Sequence, residues 1–224
     1  MQFGIGQSVK RKEDPKFLTG RGRYVSDLVL MRQTYAVFVY SNTAHADIKS
    51  IDTSQAAQAP GVVAVLTGAD YVADDMGPTG GVMPEDMGGP PGHRTFHMPL
   101  AVDRVRFVGE RVAVVIAESE AQARDAADLI DIDYADLPAV VMAEDAVKDG
   151  APLVYDEAVN NTSFTLRLGN GDEVEAAFSR AHHVTKLHLH NNRLDAMTME
   201  PRGCLGDFDT SNGRLTFYTS TQNV

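Results

Sequence analysis

The stretch Arg111–Ala117, RVAVVIA, narrows the possible folds more than any other part of this 224-residue chain. It is a continuous apolar run bounded by Gly109 and Ser119, the pattern of a buried strand. Ser119 then supplies a helix N-cap with Gln122 three residues on, and Ala123, Ala126, Ala127 and Ile130 recur at helical spacing. That helix leads into Ile130-Asp131-Ile132-Asp133-Tyr134, whose alternation of apolar and acidic residues predicts a half-exposed strand ended by Pro138. Strand, helix and strand in so tight a succession imply an α/β layer rather than an all-β barrel.

The same order is foreshadowed upstream. Thr34–Tyr40, TYAVFVY, is rich in β-branched and aromatic residues and predicts a mostly buried strand after the turn-rich Thr19–Arg23. Asp52 or Thr53 caps a short helix through Ala59, Pro60-Gly61 stops it, and Val62–Leu66 reads as another buried strand. Residues 77–99 carry too much Gly and Pro for a regular element and predict a long surface loop.

Beyond Pro138 the signals are shorter. Ala143–Val147 predicts one helical turn, Gly150–Asn161 a linker, Asp172–Arg180 a helix, and Val184–His190 an alternating strand. Cys204–Phe208 and Arg214–Thr219 flank Asp209-Thr210-Ser211-Asn212-Gly213, where Asn-Gly signals a hairpin because both residues tolerate positive φ. No element follows to cover that hairpin before Val224, so the natural fold is expected to continue beyond it.

Charge and cysteine usage exclude several classes of function. The formal net charge of −11 opposes binding to nucleic acid or to an anionic membrane surface. No run of eighteen apolar residues occurs and the N-terminus has no signal pattern, so the chain reads as soluble and cytoplasmic. The single cysteine, Cys204, rules out an intrachain disulfide and every multi-cysteine zinc or iron–sulfur pattern.

Few constellations suggest chemistry. His188 and His190 would share one face of a strand, with His182 and His183 just upstream, but Lys186 lies on that face and no third ligand has an obvious spacing. No metal site is assigned. The glycines from Gly77 to Gly92 lack a Gly-Lys-Ser/Thr motif, and Glu85 with Asp86 would repel a phosphate; the segment reads instead as a mobile loop of the kind that covers a partner or a substrate channel. Arg21 and Arg23 could fork onto a phosphate or carboxylate but read as decoration of a tight turn. Cys204, flanked by Gly203 and Leu205, reads as a small buried hydrophobe rather than a nucleophile. Asp131 and Asp133 read as a solvated strand face. No Gly-x-Ser-x-Gly or His-Glu-x-x-His is present to support a triad hydrolase or a zincin.

Four stretches in order change this reading: FLTGRGRYVSD from Phe17 to Asp27, VRFVGERVAVVIAE from Val105 to Glu118, MEPRG from Met199 to Gly203, and STQN from Ser220 to Asn223. Together with DIDY at Asp131–Tyr134, LPAVV at Leu137–Val141, Gly171-Asp172 and VEAAF at Val174–Phe178, they resemble the molybdopterin-binding large subunit of the xanthine dehydrogenase, aldehyde oxidase and carbon monoxide dehydrogenase family. The resemblance spans nearly the whole chain. It implies an α/β (α+β) fold: an a/b hammerhead domain over residues 1–149, a linker over 150–171, and the incomplete start of a molybdopterin-binding domain over 172–224.

By the same resemblance, Gln222 is the cofactor-binding residue, its amide near the apical oxo group of the molybdenum. A neutral donor suits that place because it bonds without adding charge. Glu200 and Arg202 carry no catalytic role, and an ion pair between them at the start of the next strand is the expected arrangement. The family's glycine-rich GGGFGGK-like segment and its carboxylate base have no counterpart before Val224. No catalytic residue is therefore assigned, and the isolated chain is expected to show no turnover. The companions implied are the remainder of the molybdenum subunit, an FAD subunit and an iron–sulfur subunit, forming a hetero-oligomer that hydroxylates an aldehyde, an N-heterocycle or CO with water as oxygen source. The rival reading is a non-catalytic binding or assembly module that keeps the hammerhead architecture.

Overall fold

A computed structural model describes residues 6, 8, 10–81, 83–192, 194–198 and 200–221. Ten strands are assigned in them: β1 Tyr35–Tyr40, β2 Ala46–Asp52, β3 Val62–Thr67, β4 Thr79–Gly80, β5 Phe96–His97, β6 Arg104–Val105, β7 Arg111–Ala117, β8 Asp131–Asp136, β9 Cys204–Asp209 and β10 Arg214–Thr219. The helices are α1 Asp14–Leu18, α2 Ser54–Ala57, α3 Gly68–Ala73, α4 Glu120–Ala127, α5 Ala143–Ala146 and α6 Gly171–Arg180. Two compact units result, one of residues 34–184 and one of residues 1–33 with 185–224. Among the described residues no helix is long and apolar enough to cross a membrane.

The 34–184 unit is built on two three-stranded antiparallel sheets, ordered β1-β7-β3 and β6-β2-β8. The predicted strand, helix and strand at 111–136 are present, but β7 and β8 lie in different sheets. β2 and β3, joined through α2, cross between the sheets as well. This is a helix-and-sheet fold with antiparallel pairing, the α+β form of the expected class.

The centre of the unit is β7, hydrogen-bonded on both sides and buried at five of its seven positions. Alternation sends Val115 and Ala117 to one face, where they meet Ala56 of α2 and Ala123 and Ala126 of α4. Small helix residues let α4 lie close against β1 and β7. Val112 points the other way, into a second cluster with Ala46, Ala101 and Val105, and Ile48, Ile51, Ile132 and Tyr134 close around it. One strand thus feeds both cores. The cap of α4 forms as its sequence predicts: the Ser119 hydroxyl oxygen accepts from the Gln122 amide at 3.3 Å, and Oγ donates back to the Gln122 side chain at 2.7 Å.

Several expectations need correction. β1 is not mostly buried: it alternates between half-buried and exposed residues, with Phe38 and Tyr40 on the open side, because it is an edge strand packed on one face only. β2 and α3 had no place in the sequence reading. A register shift between Ile48 and Ser50 spaces Ile48 and Ile51 three apart, which erases the period of two that marks a strand. α3 begins where the Thr67 amide and hydroxyl both donate to Asp70 Oδ2 at 2.7 Å. Its first residue, Gly68, leaves no room for a side chain, since a Cβ there would stand 2.4 Å from the Ala101 carbonyl oxygen.

The Gly/Pro-rich segment is irregular as expected, apart from the β4–β5 pair and a 3-10 turn at Pro84–Met87. Arg94 ties it together by bonding the Gly81 carbonyl and the carboxylates of Glu85 and Asp86. The Met83 amide and then Arg94 hold the Asp86 carboxyl below its ordinary value. Residues 150–161 include the expected irregular link, pinned by Asn161 in the left-handed region (φ 53°). Its side chain accepts from the Val154 amide and donates to the Ala146 and Pro152 carbonyls. Residues 184–190 are assigned to no strand. Their alternation is genuine, yet Leu187 and Leu189 are 77% and 79% exposed, so the run has no buried apolar face of the kind that marks a half-buried strand.

Candidate functional site

The unit of residues 1–33 and 185–224 gathers three of the four motif stretches singled out by sequence. β9 and β10 pair in register from Cys204↔Thr219 to Asp209↔Arg214, which sets Gly203 beside Ser220 at the open end of the hairpin. The Ser220 amide donates to the Gly203 carbonyl at 3.2 Å, its Oγ accepts from the Gly203 amide at 3.0 Å, and its hydroxyl donates to the Pro201 carbonyl at 3.2 Å. Thr219 Oγ1 adds a bond to the Gly203 carbonyl at 3.3 Å.

The N-terminal motif meets the same strand. The Val25 amide donates to Glu200 Oε1 at 3.1 Å, and the Val25 side chain lies where a Cβ on Gly203 would find it at 3.5 Å. Glu200 does not form the expected ion pair with Arg202 among the described residues. Its carboxylate is committed to a backbone N–H that would otherwise lack a partner. Just upstream the predicted tight turn is present: Gly20 takes φ 69°, and Arg21 Nε donates to Thr19 Oγ1.

The far end of the hairpin is organised by Asp209. Its carboxylate receives the Ser211 amide and hydroxyl and the Asn212 side-chain amide, and its carbonyl receives the Gly213 amide. The Ser211 hydroxyl and amide, followed by Asn212, hold the Asp209 carboxyl below its ordinary value. Of the Asn-Gly pair, Gly213 alone adopts positive φ, at 71°, because the loop is longer than the two-residue turn that Asn-Gly favours.

The remaining sequence candidates separate from this junction. Gln222, the one assigned cofactor-binding residue, lies outside the described residues. Cys204 is exposed, not buried: β9 and β10 form a two-stranded ribbon, which has too few strands to bury a residue by itself. The described histidines form no metal cluster, since no group of three or more His, Cys, Asp or Glu comes together among the described residues. Asp131 and Asp133 are exposed on β8, as expected of a solvated face.

Comparison with known proteins gives this geometry a frame. The family model for the aldehyde oxidase and xanthine dehydrogenase a/b hammerhead domain matches residues 19–138. The chain belongs to that family. The model for the molybdopterin cofactor-binding domain matches residues 154–224, so the Gly203–Ser220 junction falls inside the second match. Nicotine 6-hydroxylase large subunit from Paenarthrobacter nicotinovorans is 41% identical over 97% of this chain, and the carbon monoxide dehydrogenase large chain of Afipia carboxidovorans is 33% identical over 98% of it. Quinoline 2-oxidoreductase from Pseudomonas putida 86 superposes with a TM-score of 0.82 at 37% identity, covering 97% of this chain and 27% of that one. The chain spans about a quarter of the length of these relatives, 26% and 27% of the two large subunits.

Within the 34–184 unit, sequence reading missed a cluster around Tyr155. The Arg106 guanidinium lies 4.7 Å from the Tyr155 ring centroid. His97 packs edge-on against the ring while its Nδ1 stands 3.2 Å from the hydroxyl. Burial raises the Tyr155 phenol above its ordinary value. His93 contacts the other side of the ring, and its backbone exchanges bonds with Ser163. The cluster pins the Gly/Pro-rich loop to residues 154–163. Nothing in the local sequence signals it, because its members come from three separate stretches and meet only through the tertiary fold.

Proposed function

We propose that this chain is the N-terminal portion of a molybdenum hydroxylase large subunit, with Gln222 facing the cofactor. The observation that carries the reading is the meeting of residues from three separate motifs, with Val25 bonded to Glu200 and Gly203 bonded to Ser220. The reading divides the chain into a hammerhead domain over 1–149, a linker over 150–171 and the start of the molybdopterin-binding domain over 172–224; the first matched span, 19–138, lies within the hammerhead segment, and the second, 154–224, begins inside the linker. The names of the relatives support an oxidoreductase acting on an N-heterocycle, an aldehyde or CO.

By the resemblance, the group that meets a molybdopterin is the Gln222 amide, since the polar groups of Pro201, Gly203 and Ser220 are engaged with one another. When bound, the cofactor supplies two-electron oxidation of the substrate carbon with water as the oxygen source. The residues of this chain bind and orient: Gln222 would hold one edge of the cofactor, the Ser220 bonds join the end of β10 to Gly203, and the carboxylate base belongs to another segment of the assembly. FAD and iron–sulfur subunits complete the hetero-oligomer in this reading, with the remainder of the molybdenum subunit.

Native co-purification followed by metal analysis tests the proposal. Molybdenum near one per chain, with flavin and iron in the same complex, is the expected result. A metal-free chain overturns it in favour of an assembly module. Within such a complex, Gln222→Ala lowers molybdenum content or activity, and a variant unchanged in both removes Gln222 from the site.

A further inference from the structure

We infer that Asn170 is a site of spontaneous covalent modification, losing its side-chain amide through a cyclic imide, and that Asn212 is shielded from the same reaction by Asp209. The sequence holds two Asn-Gly pairs, Asn170-Gly171 and Asn212-Gly213. Glycine has no Cβ, so its backbone nitrogen lies open to the side chain of the residue before it. By sequence the two pairs are equivalent; their hydrogen bonds separate them.

The reaction is intramolecular. The glycine nitrogen attacks Cγ of the asparagine, a bond between them closes a succinimide ring, and the Cγ–Nδ2 bond breaks. The glycine proton leaves with Nδ2 as ammonia. Water then opens the ring at either carbonyl, giving aspartate or isoaspartate, and nothing is oxidised or reduced.

At Asn212 each participating group is engaged. The attacking nitrogen, that of Gly213, donates to the Asp209 carbonyl at 2.9 Å. Nδ2 of Asn212 donates to Asp209 Oδ2 at 2.7 Å, and its Oδ1 accepts from the Arg214 amide at 2.9 Å. The side chain is pinned at both ends, and the carboxylate beside it opposes the negative charge that ring closure builds. Giving up two or three bonds of ordinary net strength slows a reaction by on the order of 10-fold to 100-fold.

Asn170 is held far less. It is the residue before α6, and its Oδ1 accepts from the Glu173 amide at 3.5 Å, the outer limit of such a bond. Among the described residues Nδ2 has no partner, and neither does the Gly171 amide, the first N–H of the helix. Both residues are exposed, so water reaches the ring. Isoaspartate would reroute the main chain through the side chain and remove the peptide carbonyl that receives the Val174 amide, loosening the start of α6.

The natively purified protein and the urea-unfolded chain are incubated in mildly alkaline buffer and digested with trypsin, which places the two sites in separate peptides, residues 168–180 and 203–214. Mass spectrometry follows the exchange of amide for acid, and an isoaspartate-specific methyltransferase with a labelled methyl donor counts the isoaspartate. In urea the sites are expected to react at comparable rates. In the folded protein the rate relative to urea is expected to be at least about 10-fold lower at Asn212 than at Asn170. Asp209→Ala should raise the Asn212 rate about 5-fold or more without changing Asn170, and Asn170→Ser, which keeps a good cap, should abolish labelling of the 168–180 peptide. The first comparison uses the unaltered protein and so does not depend on a variant folding. Equal folded-to-unfolded ratios at the two sites, or a higher ratio at Asn212, overturn the inference; an Asn212 as slow in D209A as in the unaltered chain overturns the shielding by Asp209.

Discussion

Truncating Val115 to alanine tests whether β7 is the structural centre of the 34–184 unit. The side chain is fully buried, hydrogen-bonded strands flank it on both sides, and α2 and α4 cover it with alanines. Deleting two methyl-sized groups costs about 1.6 kcal/mol in transfer free energy at about 0.8 kcal/mol per group. The void left between β7 and the helices adds about 1 kcal/mol if it does not collapse. It should persist, because Ala56, Ala123 and Ala126 have no side-chain length with which to fill it. The expected loss is therefore about 2–3 kcal/mol. Urea unfolding followed by circular dichroism measures it as a lower midpoint at constant slope. Val63→Ala on β3, where the side chain is 61% exposed, is the control, with an expected loss below about 0.5 kcal/mol. Equal losses for the two variants, or a Val115→Ala cost under about 1 kcal/mol, would refute the two-core account of β7.

Two further substitutions probe local features. Gly68→Ala drives a Cβ into the Ala101 carbonyl, and since neither backbone can yield cheaply, a loss of about 1–3 kcal/mol is expected in the same unfolding assay; a neutral variant shows that α3 can shift away from Leu100–Ala101. Asp209 has a folded carboxyl value below the ordinary 3.8, so its contribution to the hairpin is fully present above that value and is lost as pH falls through the lower folded one. The Ser211 amide resonance is expected to titrate with a midpoint below 3.8, and D209N should abolish the titration; a midpoint at or above 3.8 contradicts the hydrogen-bonded hub.

The parts of the fold that were legible in sequence are those whose signals are local. β7 and α4 could be read because an apolar run and a Ser119 cap lie next to each other in the chain, and the β9–β10 hairpin because Asn212-Gly213 marks its turn. β2 was hidden by its own irregularity, since the shift at Ile48–Ser50 removes the alternation that a reader of strands looks for. Residues 184–190 differ in the opposite sense: their alternation is clear, but their leucines are exposed, and burial is set by contacts that no local pattern reveals. Burial suffers from the same dependence on distant contacts. Cys204 is apolar enough to be inside, yet its ribbon leaves it exposed. At the candidate site, resemblance picked out MEPRG and STQN separately, whereas their joining through Gly203 and Ser220, and the diversion of Glu200 from Arg202 to Val25, required the structure.

The exchange of connections between the two sheets bears on how this unit can be assembled and divided. α2 joins β2 to β3 and α4 joins β7 to β8, each pair of strands being divided between the two sheets, so a cut placed between those helices would give two fragments, each holding part of both sheets and all of neither. Tyr35 must find Ala117 and Ile51 must find Ile132 across about eighty residues, which places this unit among topologies that fold slowly because loop closure precedes the reward of pairing. Fragments of this region would accordingly recover structure by complementing one another rather than by refolding alone.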